Sequence, residues 1–154
     1  MSEDAVARFV ERLALLMAEA GMARMPARVF GRLLVTDSGR LTAPELAAAL
    51  QVSPAAISGA VRYLDQVGLV TKGRVPGERR DHYQVGDGAW VEAIVNRDKL
   101  LVTWASTMAE GVGVLGPGTP AGERMAQSAR FFDFLQREMV DLIDRWRAEE
   151  AARS

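Results

Sequence analysis

Cysteine is absent from the 154 residues, and histidine occurs once, at His82. Without a thiol there is no disulfide, no thiolate ligand for zinc and no cysteine nucleophile. One imidazole cannot build the histidine-rich metal sites or proton relays that need several. No apolar run reaches the roughly 18 residues that span a bilayer. The N-terminal MSEDAVARFVERLALLMAEAGM carries acids and no small-residue cleavage site, so it does not read as a secretory signal. A soluble cytoplasmic protein without membrane association is the resulting expectation. A dominant charge is missing too: 19 Lys and Arg face 20 Asp and Glu. That balance argues against coating nucleic acid through bulk charge and leaves room for a local basic patch. Hydrophobic residues make up 49% and charged residues 25%. The chain is therefore ordinary globular material, of a length for one domain, or one domain with an appended oligomerisation element.

What is present is helical periodicity. Val6, Phe9, Val10, Leu13, Leu16, Met17 and Ala20 recur at spacings of three and four, an apolar stripe that ends at Gly21. A second helix follows Pro26 through Val29, Phe30, Leu33 and Leu34, and Thr36-Asp37-Ser38-Gly39 is a turn cluster. Thr42 with Glu45 three residues on has the capping-box pattern for a short helix from Pro44 to Leu50. Ser53 then caps a helix with Pro54 in its first position, running to about Val67 and closed by Gly68. Leu69-Val70-Thr71 and His82-Tyr83-Gln84-Val85 read as strands flanking a basic loop with a Pro-Gly turn. From about Asp87 to Glu110 the chain is helical again. Gly111 to Gly122, rich in Gly and Pro, reads as a loop, and a long helix runs from Glu123 to about Arg153. In that helix Phe132, Leu135, Met139, Leu142 and Trp146 are spaced 3, 4, 3, 4, an a/d seam over two heptads. The order predicts a mainly α fold, a winged helix-turn-helix with a three-helix core and a β-hairpin wing.

Leu46, Leu50, Val52, Ile57, Val61 and Leu64 would form the core between the two crossed helices, with Ala47 at the crossing. The second of those helices leaves Ala55, Ala56, Ser58, Gly59, Arg62 and Tyr63 outside the core, and Ser53 and Pro54 leave its N-terminus open toward phosphate. Small residues there let a backbone approach a major groove, while Ser and Arg reach base edges or phosphates. Two crossed helices alone do not separate DNA binding from other uses of the motif. The wing shifts the balance: Lys72, Arg74, Arg79 and Arg80 against Glu78 give a net charge of three directly after the second helix. Double-stranded DNA is the expected partner. The alternative is a winged protein-interaction module without DNA.

Other motifs are weaker. Gly111-Val112-Gly113-Val114-Leu115-Gly116 spells GxGxxG, but a helix precedes it and prolines follow, so it is not a dinucleotide fingerprint. His82 has no reason to converge with a nucleophile; Asp81 or Glu78 is expected to brace a wing arginine instead. Asp141-Asp144, Glu149-Glu150 and Asp133 fall on solvated helix faces. No cofactor, metal or catalytic residue is called for. Trp90, Trp104, Met108, Phe131 and Phe134 are candidates for an effector pocket, against the competing reading of core or dimer packing. Any effector is expected to be apolar or amphipathic.

Residues 21 to 85 resemble the MarR family of bacterial transcriptional regulators, in its GbsR-like branch. The resemblance rests on Met25-Pro26-Ala27-Arg28-Val29, Ser53-Pro54-Ala55-Ala56-Ile57-Ser58 and Pro76-Gly77-Glu78-Arg79-Arg80-Asp81-His82-Tyr83. Gln51 departs from it, standing where many such units place Gly. The resemblance implies a homodimer with interlocking terminal helices, two wings reading a pseudo-palindrome, and repression released by a small ligand. It implies Ser53 to Arg62 in the major groove and Arg79 and Arg80 at the adjacent minor groove. On this reading residues 1–22 are an N-terminal dimerisation helix and 23–86 the DNA-binding domain. Residues 87–154 are a helical region for dimerisation and effector binding.

Overall fold

A computed structural model of the chain describes residues 2–86 and 88–154. In chain order the elements are α1 (Glu3–Glu19), α2 (Arg24–Leu34), β1 (Arg40–Thr42), α3 (Ala43–Leu50) and α4 (Pro54–Gln66), then β2 (Thr71–Arg74), β3 (Asp81–Gln84), α5 (Ala89–Leu115) and α6 (Pro120–Arg153). Asp87, where the sequence places the start of α5, lies outside the described residues. The mainly helical winged helix-turn-helix expected from the sequence is what the chain forms. It falls into two compact units, Met1–Ala93 and Ile94–Ser154.

The first unit packs α1 to α4 around Val10, Val29, Phe30, Leu33, Leu46, Ile57 and Leu64, all essentially removed from solvent. Burying side chains of this size contributes about 1.5–3 kcal/mol each relative to exposure. Helix ends explain why the segments stop where they do. At the C-termini of α1, α3 and α4 the same two backbone bonds close the last turn: Met22 N–H to the Met17 carbonyl, Val52 to Ala47, and Leu69 to Leu64, each with its inner companion bond. This closure needs a left-handed residue. It is Gly21 and Gly68 in two cases, and Gln51, with φ of 55°, in the third. Ser53 accepts from the Ala56 N–H at 3.2 Å and Thr42 from the Glu45 N–H at 3.3 Å, so both helices of the motif begin on side-chain caps.

Three strands form the sheet, in the antiparallel order β1-β3-β2. The sequence indicates only the two outer-hairpin strands and places the first two residues early. Leu69 and Val70 are buried against the core, so the exposed ladder starts at Thr71. β1 escaped the sequence reading because three residues, Arg40-Leu41-Thr42, are too short for an alternation to register. It pairs Leu41 opposite Tyr83 and ties the hairpin to the start of α3.

The second unit is a helical hairpin turned by Gly116–Thr119. Here the expected loop from Gly111 to Gly122 is corrected: Gly111 and Gly113 lie in α5, and Gly122 lies in α6. Two of these glycines serve close approach, while a Cβ on Gly113 would meet nothing within 4 Å. A Cβ on Gly111 would sit 3.1 Å from the Met125 side chain, and one on Gly122 would collide with the Gly116 carbonyl. The GxGxxG string thus runs along a helix end. Trp104 meets Phe132 edge-on at 5.2 Å, and Phe132 meets Phe131 at 5.4 Å. Among its described residues only Ala105 and Gly122 are buried.

Candidate nucleic-acid interface

α4 separates its residues cleanly. Ile57, Ala60, Val61 and Leu64 point into the core, while Ser53, Pro54, Ala55, Ser58, Gly59, Arg62 and Tyr63 are exposed. Ala56 is turned partly inward. Gly59 has nothing within 4 Å of where a Cβ would be, so its smallness serves no internal packing. A side chain can be added there without cost to the unit, which leaves close external approach as its use. The axis of α4 is set from its two ends. Its N-terminus starts at the Ser53 cap, two residues after the left-handed Gln51, and its C-terminus closes at Gly68.

The wing turns at Val75-Pro76-Gly77-Glu78. The Glu78 N–H donates to the Val75 carbonyl at 3.0 Å, and Gly77 has φ of 88°, the type II geometry that Pro-Gly specifies. Its charges are unequal in their freedom. Asp81 accepts from Lys72 at 3.3 Å and from Arg74 at 3.3 Å. The Lys72 hydrogen bond is the main cause that holds the Asp81 carboxyl below the ordinary range; the Lys72 charge and Arg74 add to it, against an upward push from desolvation. Glu78 turns to His82, at 3.1 Å, instead of to an arginine. The expected brace is therefore Asp81, across the strands. Arg79 and Arg80 make no side-chain ion pair or hydrogen bond with another described residue and are exposed.

The remaining candidates fall in different places. Trp90 stacks edge-on against Phe30 at 5.1 Å in the first unit. Trp104, Met108, Phe131 and Phe134 belong to the second, where Trp104, Phe131 and Phe134 are more than half exposed. Of the a/d seam, Phe132, Leu135 and Met139 are half-buried, and Leu142 and Trp146 are exposed. α1 also departs from its expected stripe. Val10, Ala14 and Met17 are buried, whereas Phe9 and Leu16 are exposed, because α2 covers only part of so wide an apolar face.

Sequence reasoning missed one side chain that matters to this geometry. Arg28, on α2, is held by both oxygens of Glu11 on α1, at 2.9 and 3.2 Å, and donates to the Leu50 carbonyl at 3.0 Å. It ties three helices together immediately before the Gln51 turn. Its presence in the Met25–Val29 motif was the signal, but its partners lie 17 and 22 residues away and cannot be read from spacing.

Comparison with known proteins gives two family profiles. One described as the MarR family matches residues 20–81, and one described as MmpR5-like MarR family transcriptional regulators matches residues 88–149. The HTH-type transcriptional regulator MmpR5 of Mycobacterium tuberculosis (strain ATCC 25618 / H37Rv) is 26% identical over 146 residues, covering 94% of this chain and 88% of that one. A crystal structure of a transcriptional regulator superposes with a TM-score of 0.84 at 25% identity, covering 94% of this chain and 99% of that one.

Proposed function

We propose that the chain is a winged-helix transcriptional regulator of the MarR family, as the two matching profiles support, and a cytoplasmic homodimeric repressor binding a pseudo-palindromic operator and released by a small ligand. It is a regulator, not an enzyme. The observation that carries the DNA reading is the outward face of α4. Ser53, Ser58 and Arg62 stand on one exposed surface around the open space at Gly59, beside a wing whose Arg79 and Arg80 are unengaged. On this reading residues 23–86 are the reader, with Ser53 to Arg62 in the major groove and Arg79 and Arg80 along the adjacent backbone or minor groove. Lys72 and Arg74 reach phosphate too, with their charge shared with Asp81.

Residues 1–22 and 87–154 supply the dimer. Support comes from the exposed Phe9 and Leu16 on α1 and from a second unit whose seam at Leu142 and Trp146 is uncovered. Large apolar side chains left exposed within each unit fit an interaction face. For the ligand, the exposed aromatics Trp90, Trp104, Phe131 and Phe134 with Met108 support an apolar or amphipathic effector. The GbsR-like placement rests on the motifs within residues 21–85.

Selection of binding fragments from random genomic DNA tests the reading. An enriched inverted repeat is expected, and its absence would favour a protein-interaction module. On a selected fragment, Arg79→Ala is expected to lower the slope of log affinity against log salt by about one unit, whatever the sequence. An unchanged slope takes the wing out of the interface.

A further inference from the structure

The two carboxylates of the wing are engaged from opposite faces of its hairpin. Successive strand residues alternate between faces, so along β3 Asp81 shares one face with Tyr83, and His82 shares the other with Gln84. On the first face Asp81 is held by Lys72 and Arg74, both at 3.3 Å. On the second, Nε2 of His82 lies 3.1 Å from an oxygen of Glu78. Only 14% of the His82 side chain is exposed, against 52% for Glu78, so the ring is the fixed partner of the pair. Thr42 and Gly73 stand opposite His82 on the neighbouring strands, and neither carries a charge. An ionised carboxylate only accepts hydrogen bonds, so the contact requires the ring proton on Nε2. Nδ1 is buried and has no partner among the described residues. The neutral ring then leaves a bare lone pair at Nδ1; the other tautomer would bury an unpaired N–H there and set two acceptors face to face.

We propose that His82 is a positioning residue for the wing: by holding the Glu78 carboxylate against β3 it keeps that charge away from Arg79 and Arg80 and from the phosphates they meet. The role in DNA binding rests on the function proposed above; the control of the wing's charge does not. From Lys72 to Asp81 the wing carries four cations and two carboxylates. Asp81 is shared by Lys72 and Arg74, which leaves Arg79 and Arg80 exposed and unpaired among the described residues. Glu78 precedes both directly in the chain, within reach of either guanidinium once it is let go. A released Glu78 would therefore cancel one of the two free cations. Affinity for a nucleic-acid backbone follows the number of phosphates that are neutralised, so half of the wing's free charge depends on where one carboxylate is held. His82 touches no DNA in this arrangement and acts only through Glu78.

The test is a double-mutant cycle on the full chain at pH 8, with His82→Leu, Glu78→Gln and the two combined, read on a selected DNA fragment. His82→Leu is expected to weaken binding about three- to fivefold and to lower the slope of log affinity against log salt by up to about one unit. In the Glu78→Gln background the same substitution should cost less than about twofold, because no carboxylate is left to release. His82→Gln keeps a donor near the position of Nε2 and should restore the slope of the wild type. A role in packing alone predicts equal losses in both backgrounds and no rescue by Gln; either result overturns the proposal, as does unaltered binding in His82→Leu. His82 is the chain's one histidine, so its ring nitrogens are read without ambiguity in a long-range proton–nitrogen NMR spectrum. A neutral ring protonated on Nε2 is expected, and one protonated on Nδ1 overturns the contact. A chain that selects no DNA fragment overturns the regulatory reading instead. The same cycle is then read as the salt concentration that elutes each variant from heparin, a polyanion without base sequence. Earlier elution of His82→Leu that Glu78→Gln abolishes supports the hold on Glu78, and equal shifts in both backgrounds overturn it.

Discussion

Gln51 and Gly68 occupy the same position in the same helix-ending motif, yet only one is glycine. A side chain in the left-handed region costs about 1–2 kcal/mol relative to right-handed backbone, part of which glycine returns as extra freedom of the unfolded chain. Gln51→Gly is accordingly expected to raise unfolding stability by about 0.5–1 kcal/mol, read as a higher urea midpoint at constant slope. The sequence announced this site as a departure from a family pattern; the φ of 55° turns that departure into a strain. At Asp81 the reasoning concerns charge. Its folded pKa is depressed, chiefly by the Lys72 hydrogen bond, so the brace is present above the unfolded carboxylate range and is lost only as pH falls through the lower folded value. In an NMR titration the Asp81 carboxyl carbon should show a midpoint below that of the unfolded chain, and Lys72→Gln should move it upward. A midpoint indifferent to Lys72→Gln would mean the 3.3 Å contact does not persist in solution.

α4 was legible as an element because every signal along it agreed: a serine cap, proline at the first position, three-and-four spacing of Ile57, Val61 and Leu64, and glycine after the end. Where signals conflicted, tertiary packing decided. Glycines 111, 113 and 122 looked like a loop, since glycine disfavours helices by up to about 1 kcal/mol each. The close passage of Met125 by Gly111 and of Gly116 by Gly122 makes small residues useful inside those helices. β1 and the Arg28 clasp were illegible for another reason, as both exist only through partners distant in sequence. Packing in the reader yields its own prediction. Ile57 is wholly buried on the inner face of α4, so Ile57→Ala should cost about 2–5 kcal/mol in chemical unfolding. Ser58→Ala, on the outer face, should leave stability within about 0.5 kcal/mol while affecting DNA affinity. Equal stability losses would mean that the two faces of α4 are not distinct.

For the molecule as a whole, the near-zero charge conceals a division. Residues 40 to 85 hold six Lys and Arg against four Asp and Glu, while the rest holds 13 against 16. Bulk attraction to DNA is thus small, and the affinity of the proposed reader must come largely from specific contacts. The apolar seam of α6 belongs to this scale as well. Charged substitutions at Leu135 and Leu142 are expected to yield monomers in sizing experiments, and an unaltered elution volume would place the seam within one chain. The proposed dimer has a further consequence, which follows from the second unit burying only Ala105 and Gly122 among its described residues. In the proposed dimer, two helices with so little interior of their own would draw their cohesion from another copy, and mass action would then govern whether they stay folded. Melting temperature should climb with protein concentration, and a cell holding few copies would lose the regulator first to proteolysis of the unpaired chain. On the proposed function, abundance itself would become part of the control, setting how much of the protein exists in a form able to hold an operator at all.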